Sequence, residues 1–324
     1  MSAYQERRPA ISVAMCTYNG ERYLREQLNS IARQTMLPSE LVVCDDGSVD
    51  STAEIVDDFA RSAPFNVKFA RNATNLGSTK NFEKAIELCS GELIALCDQD
   101  DIWMDSKLAR LANEFTDRSI GGVFTDGKLI GDDSQDLGTT LWRAFGFTPR
   151  IQRLWRAKGP LPIFLKQDIV TGATLMFRAD QKGSIIPISR EWIHDGWIAW
   201  IIAMTSRLEF LDVPLIRYRV HTSQQAGVPN RTMRARLTRL LKGEPSGYLR
   251  DAKKFEELLD RLNILGSTQP FPDAESLECK SRHSIFRSSL PRSRAARLPA
   301  VLSHLPAYTR YSLGLKDAIK DVLR

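Results

Sequence analysis

The stretch Leu93-Ile94-Ala95-Leu96-Cys97-Asp98-Gln99-Asp100-Asp101-Ile102-Trp103 (LIALCDQDDIW, residues 93–103) decides the reading of this chain. Its opening apolar run fits a strand buried on both faces, and the run stops abruptly on Asp98, Asp100 and Asp101. Carboxylates this close repel one another, which disfavours folding unless something positive sits among them. A divalent cation answers that need, and aspartate oxygens suit Mg2+ or Mn2+. Asp98 and Asp100, one residue apart, point to the same side of an extended segment and so can share a ligand. A solvated acidic turn capping a helix over Trp103–Leu111 accounts for the same residues, and this stretch alone does not choose.

The segments on the N-terminal side repeat the pattern. ISVAMCTY (11–18) is a short apolar run ending at Asn19-Gly20, and ERYLREQLNSIARQ (21–34) places Tyr23-Leu24, Leu28 and Ile31 at helical spacing. LVVCDD (41–46) reads as a buried strand ended by Gly47-Ser48, and STAEIVDDFA (51–60) as a helix whose Ser51 and Glu54 form a capping box. FNVKFA (65–70) and STKNFEKAIELCS (78–90) give a third strand and the next helix. Strand, loop and helix repeated without hairpin turns predicts an α/β fold with a parallel sheet covered by helices. Ligands of such sheets gather beyond the carboxyl ends of the strands. The residues to watch are therefore Thr17-Tyr18-Asn19, Asp45-Asp46 and Asp98-Gln99-Asp100-Asp101. Asp45-Asp46-Gly47-Ser48 also fits an ordinary turn and N-cap, but two acidic clusters at strand ends favour one reaction surface over two unrelated turns.

The second half is less regular. IVTGATLMFRAD (169–180) looks like a strand, REWIHDGWIAWIIAMTS (190–206) like an apolar helix entered through His194-Asp195, and LEFLDVPLIRYRVH (208–221) like a strand pair or one bent strand. From Gln224 onward come Arg-rich helical stretches, a Pro/Ser-containing link near 266–276 and a terminal amphipathic segment.

Composition bounds the answer. With 324 residues, 43% hydrophobic and 26% charged, the chain is ordinary globular material of one large or two small domains. Five cysteines without metal-site or CxxC spacing read as buried reduced thiols. The absence of a long uncharged apolar stretch and of a secretory leader places the chain in the cytoplasm. The net charge of +6 divides into −3 for residues 1–230 and +9 for residues 231–324. The basic excess thus belongs to the tail, and no aromatic-interleaved basic strand suggests a nucleic-acid partner.

Cys16-Thr17-Tyr18-Asn19-Gly20, Asp45-Asp46-Gly47-Ser48, Asn75-Leu76-Gly77 and Asp98-Gln99-Asp100-Asp101, in this order, resemble family 2 glycosyltransferases over roughly residues 9–225. The DQDDIW form is most similar to bacterial rhamnosyltransferase-like enzymes of surface-polysaccharide synthesis. The resemblance implies a GT-A fold over 1–225, with a nucleotide-binding part at about 9–130, an acceptor part at about 131–225 and a basic helical extension at 226–324. It implies inverting transfer from a nucleotide-diphospho-sugar, dTDP-rhamnose or a UDP-hexose, to a glycan or polyprenyl-linked glycan, assisted by Mn2+ or Mg2+.

Carried over by position, Thr17, Tyr18 and Asn19 line the base and ribose pocket, Asp46 takes a hydrogen bond from the pyrimidine imide, and Asp45 is its neighbour. Asn75, Gly77 and Gln99 belong to the same donor site, Asp98 faces ribose or sugar, and Asp100 holds the metal. Lys80 falls where relatives carry a basic residue near the phosphates, though a solvated helix lysine fits equally. Asp195 is the base that deprotonates the acceptor hydroxyl. His194 departs from the family's usual acidic residue; it orients Asp195, contacts the acceptor or simply packs. His221 lies near diphosphate and metal, or is a strand-end histidine bonded to backbone, with Arg219 and Ser223 close to phosphate. Gly172-Ala173 forms a small-residue turn under the acceptor. Trp192 is the tryptophan expected to meet it, while Trp197 and Trp200 recur at core spacing.

In the tail, RTMRARLTRLLKG (231–243) and YTRYSLGLKDAIKDVLR (308–324) pair basic with apolar residues at helical spacing. Such helices lie on the cytoplasmic face of an anionic inner membrane or pack back on the catalytic domain. A sugar-1-phosphate nucleotidyltransferase and a non-catalytic sugar-nucleotide-binding protein are the rival functions. The first usually opens on a Gly-rich phosphate loop, where CTYNGERY has one glycine.

Overall fold

The structure is a computed structural model that describes residues 8–221, 245–266 and 273–324. The expected helix over 231–243 and part of the expected link near 266–276 lie outside the described residues, as does Ser223. Two compact units divide the chain. One is made by the described residues of Met1–Ala144 and Val170–Gln225, the other by those of Phe145–Ile169 and Ala226–Arg324.

In the first unit the chain runs β1 (Ile11–Thr17), α1 (Leu24–Ala32), β2 (Glu40–Asp45), α2 (Thr52–Ala60), β3 (Asn66–Arg71), α3 (Ser78–Leu88) and β4 (Leu93–Cys97). It continues with β5 (Ile102–Trp103), α4 (Lys107–Glu114), β6 (Ile120–Ile130), β7 (Asp136–Thr140) and α5 (Leu141–Phe145). After an intervening segment come β8 (Met176–Arg178), α8 (Lys182–Ile185), α9 (His194–Thr205) and β9 (Arg207–Arg219). The described strands form one sheet in the order β3-β2-β1-β4-β8-β6-β9-β5, with β7 paired to β6. The β3-β2-β1-β4 part is parallel, and β8 joins it antiparallel. This is a mixed sheet among helices, its parallel part at the N-terminal end as the strand–helix alternation predicts. The register places Thr17 opposite Asp45 at the ends of β1 and β2, so the polar clusters that follow start from one edge.

Several local expectations change. IVTGATLMFRAD yields only the three residues of β8, because Gly172–Thr174 form a 3-10 turn. LEFLDVPLIRYRVH is a single long strand, and its register against β6 shifts between Leu211 and Pro214, where the proline has no N–H for the ladder. The helix expected over Trp103–Leu111 starts only at Lys107, since Ile102 and Trp103 pair with Arg217 and Ile216 of β9. Ser51 makes no side-chain cap on α2. Instead the Asp50 carboxylate accepts from the Thr52 N–H at 3.1 Å and the Thr52 hydroxyl at 2.5 Å. All five cysteines are free thiols.

The second unit holds α6 (Pro149–Lys158), α7 (Leu161–Phe164), α10 (Pro245–Leu265), α11 (Ala274–Ser288), α12 (Arg294–Ser303), α13 (Leu305–Tyr311) and α14 (Leu315–Leu323). Trp155 packs edge-on against Phe147 and Phe164. Val301, Tyr308 and Ala318 form a small core to which Phe286, Leu290, Leu305 and Val322 add. A buried ion pair organises this unit. Fully buried Asp321 accepts from Arg287 Nε at 2.7 Å, the Tyr308 hydroxyl at 2.7 Å and the Tyr248 hydroxyl at 2.9 Å. Those hydrogen bonds and the Arg287 charge hold its carboxyl below the usual range against the opposing effect of burial.

Removing one partner of a buried pair leaves the other charge uncompensated, at a cost of about 3–5 kcal/mol. Asp321→Ala is expected to lower the urea midpoint of this unit accordingly, read by far-UV circular dichroism on the full chain. Because the folded carboxyl titrates below its unfolded value, the contribution of Asp321 is present above about pH 4 and is lost as pH falls further.

Candidate functional site

The loops beyond β1, β2 and β4 are built on each other. Buried Asp45 accepts from the Thr17 hydroxyl at 2.9 Å and from the Ser48 and Gly47 amides at 2.9 and 3.2 Å, which closes the turn after β2. Asn19 adopts a positive φ of 46°; its amide donates to Ser48 Oγ and its Oδ1 accepts from the Val49 amide, both at 2.9 Å. Asp46 reaches the other way. Its carboxylate accepts from the Leu76 amide at 2.7 Å, the Gly77 amide at 2.9 Å and Asn72 Nδ2 at 2.9 Å, fixing the loop before α3. Gly77, at φ 79°, permits that turn, and Asn75 Nδ2 donates to the Asp46 carbonyl at 3.2 Å. With three donors on a carboxylate that can take about four, Asp46 Oδ2 keeps acceptor capacity.

Gln99 ties the β4 loop to the β1 loop. Its Oε1 accepts from the Tyr18 amide at 2.8 Å and its Nε2 donates to the Tyr18 carbonyl at 3.1 Å. A Cβ on Gly20 would lie 2.3 Å from Gln99 Oε1, so this contact requires glycine or a displaced Gln99. The Tyr18 side chain is left outside, 45% exposed. Lys80 bonds Glu83 at 2.7–2.8 Å, one turn along α3.

The acidic loop carries the strongest electrostatics. Burial, then Asp100, then Asp195 push the Asp98 carboxyl up to about 7. Burial, Asp100 and Asp98 raise Asp101, whose Oδ1 accepts from the Arg219 amide at 3.0 Å. The Asp100 Oδ2 and His221 Nε2 atoms lie 2.8 Å apart. Positive charge comes from Lys107, which sequence reading did not place here, and from Arg219, which it placed near phosphate. Lys107, fully buried, sits 3.7 Å over the Trp103 ring and donates to the Ala173 carbonyl at 2.5 Å. Burial brings its ammonium down to about 7, opposed by Cys97, Asp101 and Asp98. Arg219, also buried, donates to the carbonyls of Asp100 at 2.8 Å and Asp132 at 3.0 Å, to Ser134 Oγ at 2.9 Å, and to Glu26. It braces the loop rather than reaching for phosphate. Two buried polar residues of α1, also missed, hold the ends of the same loop: Gln27 Nε2 donates to Cys97 Sγ at 2.8 Å and Ser30 Oγ accepts from the Trp103 amide at 3.0 Å; Gln34, two residues past α1, accepts from the Leu108 amide of α4 at 3.0 Å.

Asp195 enters from the first turn of α9. Its Oδ1 accepts from the Gly196 amide at 2.7 Å and its Oδ2 from the Gly172 amide at 3.2 Å. The charges of Asp98, Asp100, Asp101 and Asp195 all act on buried Tyr218, which they and desolvation push well above its ordinary range. Asp195 thus lies within electrostatic reach of the acidic loop. It turns two other residues away from an acceptor. His194 is 5% exposed and stacked on Phe82 at 3.8 Å, and neither ring nitrogen has a hydrogen-bond partner among the described residues. A Cβ on Gly172 would approach His194 Nε2 to 2.7 Å, so the imidazole packs behind the turn. Trp192 is 4% exposed, with Trp197 and Trp200 edge-on at 6.3 and 6.4 Å, and its ring belongs to the core under α9.

Among the described residues no group of three or more His, Cys, Asp and Glu side chains is gathered for a metal. The Asp100 carboxylate and the His221 imidazole, whose facing atoms are 2.8 Å apart, are nevertheless of the oxygen and nitrogen types that suit Mn2+ chemistry. No described helix is long and apolar enough to cross a membrane.

The Glycosyl transferase family 2 model matches residues 12–180, just over half of the chain. An uncharacterized glycosyltransferase of Nostoc is 26% identical over 215 residues, 65% of each chain. The Escherichia coli UDP-Glc:alpha-D-GlcNAc-diphosphoundecaprenol beta-1,3-glucosyltransferase WfgD is 31% identical over 124 residues, 38% of this chain and 48% of that one. The matched region thus spans less than two thirds of these relatives. Among solved structures, Staphylococcus aureus TarS with UDP-GlcNAc superposes with a TM-score of 0.54 at 21% identity, covering 97% of this chain and 89% of that one. The Pyrobaculum calidifontis mannosyltransferase PcManGT with GDP-Man and Mn2+ gives 0.53 at 16% identity, covering 97% and 79%. These likenesses show the fold.

Burial holds His194 down to about 3, whereas the unfolded residue titrates near its reference pKa of about 6.5. The unfolded chain therefore takes up the extra proton, and the contribution of this site to stability falls as pH drops from about 6.5 towards 3, by roughly 1.4 kcal/mol per pH unit at most. His194→Leu is expected to flatten that slope in urea titrations followed by tryptophan fluorescence.

Proposed function

Because the chain belongs to glycosyltransferase family 2, we propose that it is an inverting transferase. It moves a sugar from a nucleotide-diphospho-sugar to a hydroxyl of a glycan or polyprenyl-linked glycan acceptor in polysaccharide synthesis. The observation that carries this reading is the approach of Asp195, held by two backbone amides, to the acidic loop Asp98–Asp101.

On the donor side, exposed Tyr18, the remaining acceptor position of Asp46, Asn75 and Asp98 face the nucleotide, while Thr17, Asn19, Asp45, Gly77 and Gln99 hold the loops in place. A carboxylate acceptor matches the imide N–H of uracil or thymine, which favours a UDP-hexose or dTDP-rhamnose. Asp100 and His221 hold Mn2+ or Mg2+, which when bound supplies Lewis-acid stabilisation of the departing diphosphate. Asp195 accepts the proton of the attacking hydroxyl. The Gly172 and Gly196 amides fix its rotamer, so the base needs no reorganisation as the hydroxyl arrives. A nucleotidyltransferase would release pyrophosphate; this reading requires release of nucleoside diphosphate.

The transfer site belongs to residues 1–225 and the membrane contact to the basic extension 226–324. Leu315 and Ile319 on α14 are 67% and 57% exposed, one turn apart, and α12 exposes Leu298 and Leu302. Arg294 and Lys316 lie exposed on the same two helices. Apolar rows flanked by cations suit peripheral binding to an anionic bilayer, and the name of WfgD describes a lipid-diphosphate acceptor.

Asp100→Ala is expected to abolish the Mn2+-dependent thermal stabilisation seen with UDP or dTDP, whereas Asp195→Ala retains it and loses at least a hundredfold in transfer. The reverse pattern refutes the assignments. Leu315→Glu with Ile319→Glu is expected to reduce co-sedimentation with phosphatidylglycerol vesicles while leaving transfer to a soluble acceptor unchanged.

A further inference from the structure

Lys107 is the most deeply buried cation near the site, and the transfer chemistry above gives it no task. It follows the acidic loop on the first turn of α4, whose other inward residues, Leu108, Leu111 and Ala112, are apolar. A methionine would fill the same volume without the cost of burying an ammonium, which is several kcal/mol for an ion without good partners. The lysine has one hydrogen-bond acceptor among the described residues, the Ala173 carbonyl at 2.5 Å, and the Trp103 ring face at 3.7 Å. The charges of Asp98 and Asp101 lie within its electrostatic reach.

Its partner identifies what the ammonium does. Ala173 is the middle residue of the Gly172–Thr174 turn. One residue back, the Gly172 amide donates to Asp195 Oδ2 at 3.2 Å. On its other side the turn is packed so closely that a Cβ on Gly172 would meet His194 Nε2 at 2.7 Å and Asp195 Cβ at 3.4 Å. The turn therefore has little freedom except along the direction that Lys107 fixes.

We propose that Lys107 is a positioning residue: by anchoring the Ala173 carbonyl to the underside of the acidic loop it holds the Gly172–Thr174 turn, and through the Gly172 amide it sets the orientation of the Asp195 carboxylate. The donor-side loop and the base are thereby joined by one side chain, through the sequence Lys107 Nζ, Ala173 carbonyl, Gly172 amide, Asp195 Oδ2. This role rests on Asp195 being the base, but the turn can be observed without any turnover.

The test compares Lys107→Met, which removes donor and charge, with Lys107→Arg, which keeps both. Hydrogen exchange measured by mass spectrometry on the full chain is expected to rise at least tenfold in Lys107→Met for peptides covering 170–176 and 194–198. Peptides from β1 and β2 stay unchanged, and Lys107→Arg stays within about threefold of the parent throughout. With the donor that gives transfer, kcat of Lys107→Met falls tenfold or more while the calorimetric Kd for UDP with Mn2+ moves less than twofold, and Lys107→Arg recovers most of the kcat. Unchanged exchange at 170–176 in folded Lys107→Met overturns the proposal. So does a loss of UDP binding equal to the loss of kcat. If Lys107→Met does not fold, Lys107→Leu, which likewise removes donor and charge, takes its place with the same criteria. Changed exchange in a chain that transfers no sugar would instead leave the anchoring intact and refute the transferase reading.

Discussion

Everything near the carboxyl ends of the central strands depends on balancing negative charge. Burial first, and then the charges of neighbouring aspartates (Asp100 and Asp195 on Asp98, Asp100 and Asp98 on Asp101), raise the carboxyls of Asp98 and Asp101. In a partly dry environment such a group does not stay folded by packing alone. The chain supplies its own counter-charges from behind, Lys107 from α4 and Arg219 from the end of β9, both buried. Arg219 spreads its donors over backbone carbonyls as well as Glu26, so it braces loops more than it neutralises any one aspartate. On the other side of the loop Asp100 lies beside His221, the pair proposed above to hold a cation.

Scaffold and chemistry are thereby interleaved. Polar side chains on the buried face of α1 serve the acidic loop, where a simple amphipathic helix would have carried leucines. A buried amide or hydroxyl is tolerable only when paired, and each of these is paired with the backbone or sulfur of the segment it positions. The turn at Gly172 works similarly, with a histidine that never titrates near neutrality packed against it. The second unit repeats the principle, centring its helices on Asp321 and Arg287.

The first four strands and the polar clusters beyond them were legible because each apolar run ends on turn-forming residues, a signal that needs no tertiary information. The placement of Asp195 also followed from its motif. The strand β6 was not legible: Gly121, Gly122 and Gly127 interrupt its apolar run, and they are there because Ser206, Ile202, Leu208 and Ile216 pack where side chains would stand. Lys107 reads in sequence as a solvated residue at a helix start, and nothing in its spacing says that the acidic loop folds over it. Trp192 and His194 have the chemistry of sugar contacts, but pattern alone does not tell which way a side chain faces when the helix that follows is apolar on all sides. At the start of α2 it is Asp50, bonded to the Thr52 amide, and not Ser51 that supplies the side-chain acceptor.

The loops beyond β1, β2 and β4 are tied mainly by backbone-directed bonds: Gln99 grips the Tyr18 peptide, and Asp46 grips the Leu76 and Gly77 amides. Such ties are indifferent to what side chain sits on the gripped residue. Tyr18 is consequently a position whose exposed ring can be exchanged without loosening the frame. A scaffold of this kind diversifies its outward surface one residue at a time, while its inward residues are held fixed by their neighbours.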